Sequence, residues 1–374
     1  MNTVMKELRL NSNAVLKNRL VMAPMVAQGS SIEGYITQED LDYFDIRSNV
    51  AGMIITGAAA VEDAGRGFNH QIGVSTDKHV EGLRKLAETI KKDDNKAILQ
   101  LYHGGRESVG GYELFGEVVA PSAIEFPFLD YVPRELKEDE ILRIIDSFAQ
   151  STKRAIDAGF DGVEIHAANH YLLQQFFSSY SNHRTDKWGG SLENRMRFSL
   201  EILKAVKKIV KEHAPEEFIV GFRFCPDEIH GENIGFTLEE SIQWIDAVVN
   251  EGVDYIHISI WTGYDTDAPE SDTSYGKTFL DKFGDKTAVI IVSDVFSLEE
   301  ANQALEHGHL VAIGRAALIE PQFADKIMNN KDDTIQKEVT RDTFASLHWP
   351  KGLLEWYKME NTPLPPIKGI EDIE

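Results

Sequence analysis

A single cysteine, Cys225, among 374 residues excludes an internal disulfide framework, an all-cysteine zinc site and a four-cysteine iron–sulfur cluster held by this chain alone. That usage fits a reducing cytosol. Basic residues are also scarce: 38 Lys and Arg stand against 61 Asp and Glu, for a net charge of −23. Such a balance repels a phosphate backbone and argues against a nucleic-acid partner. No apolar run approaches the roughly 18 to 20 residues that span a bilayer. The N-terminal MNTVMKELRL carries charges where a signal peptide has its apolar core. These absences predict a cytoplasmic protein without membrane contact. What is present, 42% apolar and 26% charged residues, suffices for a large globular core.

Eight short runs rich in Val, Ile, Leu and Ala recur along the chain: RLVMAPM from Arg19, GMIITGAAAV from Gly52, KAILQLYHGG from Lys96, FDGVEIHAAN from Phe160, FIVGFRFCP from Phe218, DYIHISIW from Asp254, AVIIVSDV from Ala288 and LVAIGRAALI from Leu310. Near-continuous hydrophobicity is what parallel strands covered on both faces require. Helix-period stretches separate most of them; two stop at Gly159 and Gly252, in the manner of helix C-termini. Parallel neighbours need right-handed crossovers, so eight βα units in series predict an α/β fold of the closed (β/α)8 type. An open doubly wound sheet is the rival. No linker, repeat or low-complexity tract interrupts the series, so the expectation is one domain over 1–374, with a barrel core at about 17–325 and a C-terminal extension at about 326–374. The Gly-, Pro- and aromatic-rich insertion from Gly105 to Pro133, after the third strand, is expected to cover the barrel mouth as a lid.

Polar or small residues collect at the C-terminal ends of the runs, among them Gln100, His103, His166, Asn169, Arg223, Ser259, Ser293, Gly314 and Arg315. In a barrel that end carries the chemistry. A lone His at a strand end is usually a satisfied structural group, but here His166, Asn169 and Tyr171 converge on one mouth. An imidazole and a carboxamide side by side can donate to one oxygen and stabilise negative charge developing on it. Arg223 faces two readings, a surface salt bridge with Asp227 or Glu228 and a cation turned into the mouth. Gly314 and Arg315, after the eighth strand, suit the phosphate site that many barrels build from their last two loops. No metal site is read from the sequence. A flavin-free aldolase or isomerase would use the same phosphate region, yet it wants a Schiff-base Lys or paired carboxylates at strand ends, and no Lys stands there.

The segment Gly159–Arg197, GFDGVEIHAANHYLLQQFFSSYSNHRTDKWGGSLENRMR, closely resembles the signature of the Old Yellow Enzyme family of FMN-dependent oxidoreductases. Further matches at KNRLVMAPM, QLYHGGR and AIGRAALIEP extend the resemblance from about Lys17 to Phe323. It implies non-covalent FMN, NADH or NADPH as reductant, and reduction of activated C=C bonds in small electrophilic alkenes by a ping-pong hydride transfer. It also implies that His166 and Asn169 hold the substrate carbonyl and that Tyr171 delivers a proton to its α-carbon. Gln100 would pair with the flavin pyrimidine, Arg223 would face its anionic edge, and Ala23, Pro24, Met25 and Ala58 would line the ring. Ser293 and Asp294 stand where the family often shows Gly-Gly near the phosphate, and an acid there is unfavourable unless its carboxylate turns away. Val26 stands where family branches place a Cys or a Thr that tunes the flavin, and Val does neither. A flavin-binding protein without turnover is a third reading, opposed by the intact His166, Asn169 and Tyr171. His103, Arg106 and the aromatic stretch FASLHWPKGLLEWY have three readings open: pocket wall, contact in a homo-oligomer, or plain packing.

Overall fold

Each of the eight apolar runs contains a strand, shorter than the run itself: β1 Leu20–Met22, β2 Met53–Ile55, β3 Lys96–Tyr102, β4 Gly162–Ala167, β5 Ile219–Phe224, β6 Tyr255–Ile258, β7 Ala288–Val292 and β8 Leu310–Ile313. The computed structural model describes residues 3–373; Met1, Asn2 and Glu374 of the expected 1–374 unit lie outside the described residues. Every strand pairs in parallel with its sequence neighbour, and β8 pairs with β1 (Val311 opposite Leu20), which closes the sheet. An open sheet would leave two edges, and this barrel has none. The C-terminal part of several runs leaves the ladder to become the loops of the mouth.

Strand parity sorts the side chains. Val21, Met53, Ile55, Ile98, Ile219, Tyr255, Ile290 and Leu310 fill the barrel interior, and Leu10, Ala14 and Leu16 of an N-terminal hairpin join them from below. In this hairpin Leu8–Arg9 pairs antiparallel with Val15–Leu16. Its Asn11 Nδ2 donates to the carbonyls of Val253 (3.1 Å) and Lys286 (2.8 Å), just ahead of β6 and β7. The hairpin therefore floors the barrel and leaves the other end open. Outward-facing residues such as Leu20, Met22, Ile54, Leu99, Ile165 and Phe222 belong to a separate, larger cluster shared with the helices.

The surrounding helices are α1 Gln38–Asp45, α2 Val80–Lys91, α3 Glu138–Asp157, α4 Leu192–His213, α5 Leu238–Asn250, α6 Tyr275–Phe283, α7 Leu298–Ala304 and α8 Arg315–Ile319. The stops of α3 and α5 are those expected, with Gly159 and Gly252 at φ of 85° and 80°. Thr37 and Thr237 start α1 and α5 with capping boxes closed by Asp40 and Glu240. No helix among the described residues is long and apolar enough to cross a membrane.

The insertion after β3 is not the expected lid. It forms a short helix, Val109–Phe115, and a strand pair, Val119–Ala120 with Arg134–Glu135, and none of its residues lines the barrel-mouth cavity. Ion-pair and carbonyl contacts bind it sideways to the chain after β4: Arg184 Nη1 donates to the carbonyls of Pro121 (3.0 Å) and Leu136 (2.7 Å), and Arg106 bonds Ser181. The C-terminal extension covers the mouth instead, through a helix Lys351–Tyr357 anchored by Trp349 Nε1, which donates to the Leu318 carbonyl at 3.1 Å.

Candidate active site

The mouth of the barrel holds a cavity of about 380 Å³, within the usual range for a small-molecule or cofactor site. Its walls contain every residue that the sequence assigned to catalysis or to the cofactor: Ala23, Pro24, Met25, Ala58, Gln100, His166, Asn169, Tyr171, Arg223, Ser293, Asp294, Gly314 and Arg315. Phe68 and Trp356, with ring centroids 5.1 Å apart, face each other across its rim. Leu353, Tyr357 and the run Pro363–Pro365 complete that side. So the aromatic C-terminal stretch contributes pocket wall. His103 and Arg106 belong to packing: His103 is fully buried, its Nδ1 accepting from the Gly105 amide at 3.1 Å, and Arg106 lies over the Phe126 ring.

Three donors meet at one side. His166, at the end of β4, accepts the Ala168 amide on Nδ1 at 3.3 Å, so the proton of its neutral ring sits on Nε2. Burial first, and then the charges of Arg223 and His257, hold its pKa well below the ordinary imidazole value. It is thus a neutral donor. Asn169 sits in the left-handed region at φ 57°, which Asn tolerates better than most residues. Its backbone N–H donates to Cys225 Sγ at 3.3 Å. Tyr171 packs edge-on against His166 and Tyr102, with ring centroids at 5.0 and 4.5 Å. Burial, reinforced by Glu107, pushes its phenol up to about 12, so it stays protonated.

Beneath them the barrel interior carries a polar network that sequence reasoning missed. Glu164, fully buried, accepts from Gln100 Nε2 at 2.6 Å and pairs with His257 Nδ1 at 2.9 Å. Burial opposes its ionisation, but His257, Arg223 and the Gln100 bond outweigh that and hold the carboxyl below its usual range. A signal was available: Glu164 and His257 interrupt apolar runs at the same parity as His166 and Ser259, so all four face inward. Arg223 turns into the mouth, where Nη2 donates to Ser259 Oγ at 3.1 Å and Nε is buried without a partner. The alternative salt bridges are absent, since Asp227 takes the Tyr275 hydroxyl and Glu228 takes Gln174 and Ser178.

At the far end, Ser293 and Asp294 adopt φ of 98° and 55°, the conformation glycine takes without strain. The Asp294 carboxylate pairs with the Arg315 guanidinium. It turns toward the cation rather than away from the site. The residues fit FMN: a slot floored by small side chains, Ala23, Ala312 and Gly314, has an unpartnered Arg223 Nε on one side and Arg315 at the end. Among the described residues no cluster of His, Cys, Asp and Glu could hold a metal ion.

A barrel with this mouth defines a flavin-dependent oxidoreductase, and comparison with known proteins agrees. The model of the NADH:flavin oxidoreductase / NADH oxidase family matches residues 8–334. The chain belongs to this family, the Old Yellow Enzyme group of FMN-dependent, NAD(P)H-dependent oxidoreductases. It is 37% identical over 354 residues to the probable NADH-dependent flavin oxidoreductase YqiG of Bacillus subtilis, covering 94% of each chain. With NADH:acrylate oxidoreductase of Vibrio harveyi it shares 38% over 345 residues, 88% of this chain, and it spans only 34% of that protein's length. The solved structure of morphinone reductase superposes with a TM-score of 0.75 at 26% identity, covering 92% of this chain and 93% of that one.

Proposed function

We propose that the protein takes reducing equivalents from NADH or NADPH and reduces the C=C bond of α,β-unsaturated carbonyl or related electrophilic small molecules. The observation that carries this reading is the meeting of three neutral donors, His166, Asn169 and Tyr171, beside a slot that fits the cofactor. FMN held in this slot would supply hydride-transfer chemistry between the nicotinamide and the acceptor's alkene. His166 and Asn169 hold the acceptor's carbonyl oxygen and stabilise the negative charge that hydride addition drives onto it. Tyr171 gives its phenolic proton to the α-carbon, which completes the reduction. Gln100 and Arg223 would hold the polar edge of the flavin, Ala23, Pro24, Met25 and Ala58 its ring, and Ser293, Asp294, Gly314 and Arg315 its phosphate. One floored cavity serves both substrates, so they enter by turns.

The test is anaerobic. NADH or NADPH should bleach the yellow protein, and an enone such as 2-cyclohexenone should restore the colour with one equivalent of saturated ketone. A second reading, electron entry into a separate protein, is favoured by the chain's spanning a third of the acrylate oxidoreductase. Bleached protein that ignores enones yet reduces ferricyanide would support it.

The phosphate end yields its own expectation. Asp294→Asn removes an anion beside a dianionic group and frees Arg315 from its partner. Exposed pairs of this kind are worth up to about 1 kcal/mol, so FMN should bind the apoprotein about two- to five-fold more tightly. Flavin fluorescence quenching measures this, and weaker binding would mean that Asp294 helps to hold the ligand.

A further inference from the structure

We infer that Ser259, held by Arg223, is a positioning residue that fixes which way the Asn169 carboxamide faces. The inference rests on the oxyanion reading of His166 and Asn169 given above. An amide can act on a carbonyl oxygen only through Nδ2, so its two ends are not equivalent, and something must keep Oδ1 out of the cavity. Ser259, at the end of β6 and 4% exposed, donates its hydroxyl to Asn169 Oδ1 at 2.8 Å. Arg223 Nη2 donates in turn to Ser259 Oγ at 3.1 Å. The direction of this chain follows from its first member. A guanidinium cannot accept, so the Ser259 oxygen receives from it and its own hydrogen passes on to Asn169.

A donation from a cation polarises the hydroxyl and strengthens the next bond in the series. The Cys225 thiol reaches the same Oδ1 at 3.7 Å, and burial pushes it up to about 12, which keeps it a proton-bearing donor. Both neighbours thus offer hydrogens to one end of the amide. Turning the amide over would set Nδ2–H against S–H and leave the Ser259 hydrogen without its acceptor. The outcome is a carboxamide whose Nδ2 is left for a ligand. Among the described residues the same logic appears once more in the barrel, where Glu164 takes the NH₂ of Gln100.

The test uses FMN-saturated protein titrated with a para-substituted phenol, whose phenolate oxygen takes the carbonyl position and gives a long-wavelength charge-transfer band with oxidised flavin. Ser259→Ala removes the hydroxyl and lets the amide turn. Phenol affinity should fall about 2- to 12-fold, the range for one neutral hydrogen bond, and Ser259→Thr should restore most of it. In an Asn169→Ala background, Ser259→Ala should cost nothing further, because the group it orients is gone. A merely structural role for Ser259 predicts equal losses in both backgrounds, and that result overturns the proposal. So does an unchanged dissociation constant in Ser259→Ala where Asn169→Ala is weakened, which leaves the oxyanion reading standing. If Asn169→Ala itself binds phenol normally, the oxyanion reading fails and the proposal falls with it.

Discussion

Tyr171→Phe should slow oxidation of the reduced enzyme by an enone roughly 10²-fold or more, within the span expected for loss of a general acid, while reduction by NADH proceeds at nearly its normal rate. The substitution removes one oxygen. The ring contacts with His166 and Tyr102 at 5.0 and 4.5 Å are available to Phe as well, so the pocket keeps its shape. Because the phenol is pushed up to about 12, it carries its proton through the physiological range and is in the donor form when an acceptor arrives. Stopped-flow traces of the two half-reactions separate the effects. Equal slowing of both would assign Tyr171 to structure.

Glu164→Ala should strongly destabilise the protein. The carboxylate is wholly buried and answers the Gln100 amide at 2.6 Å and His257 at 2.9 Å, with Arg223 close enough to lower its pKa. Removing it strands a guanidinium and two polar groups in the barrel interior, and breaking such a buried set costs about 3–5 kcal/mol. Urea unfolding of the flavin-loaded protein measures this through the midpoint and slope. The pH dependence has a definite sign. A carboxyl whose folded pKa is depressed contributes stability above its unfolded value of about 4.3 and loses it as pH falls through the folded value. In acid the wild type should therefore converge on the mutant, and a constant gap down to low pH would show that the ionised form is not what matters.

The barrel was legible because its strands are buried on both faces, which makes them read as unbroken apolar runs, and because α3 and α5 stop at glycines that had to be left-handed. That these residues lie at the mouth was legible because βα loops begin at strand ends, and the strand ends could be found. What escaped the sequence was decided by contacts between distant segments. Trp356 has no local pattern that sends it to Phe68, and the Gly- and Pro-rich insertion looks like a lid until Arg184 is seen to hold it sideways. Glu164 and His257 were hidden differently. Their inward parity was readable, but a charged residue inside an apolar run is easily taken as the end of the strand.

The seam between β1 and β8 joins the two ends of the barrel's sequence, Leu20 to Val311, and the cavity straddles it, with Ala23, Pro24 and Met25 on one side and Gly314 and Arg315 on the other. A nucleotide seated there is a rivet across the last joint to be made. Contacts so distant along the chain are among the slowest to form, and a ligand that binds only the joined state adds its binding free energy to the join. A nascent chain with seven finished βα units would still lack the Ala312, Gly314 and Arg315 wall of the cavity. A yellow colour from bound flavin would then be a report on assembly, visible only once the first strand of the barrel has met its last.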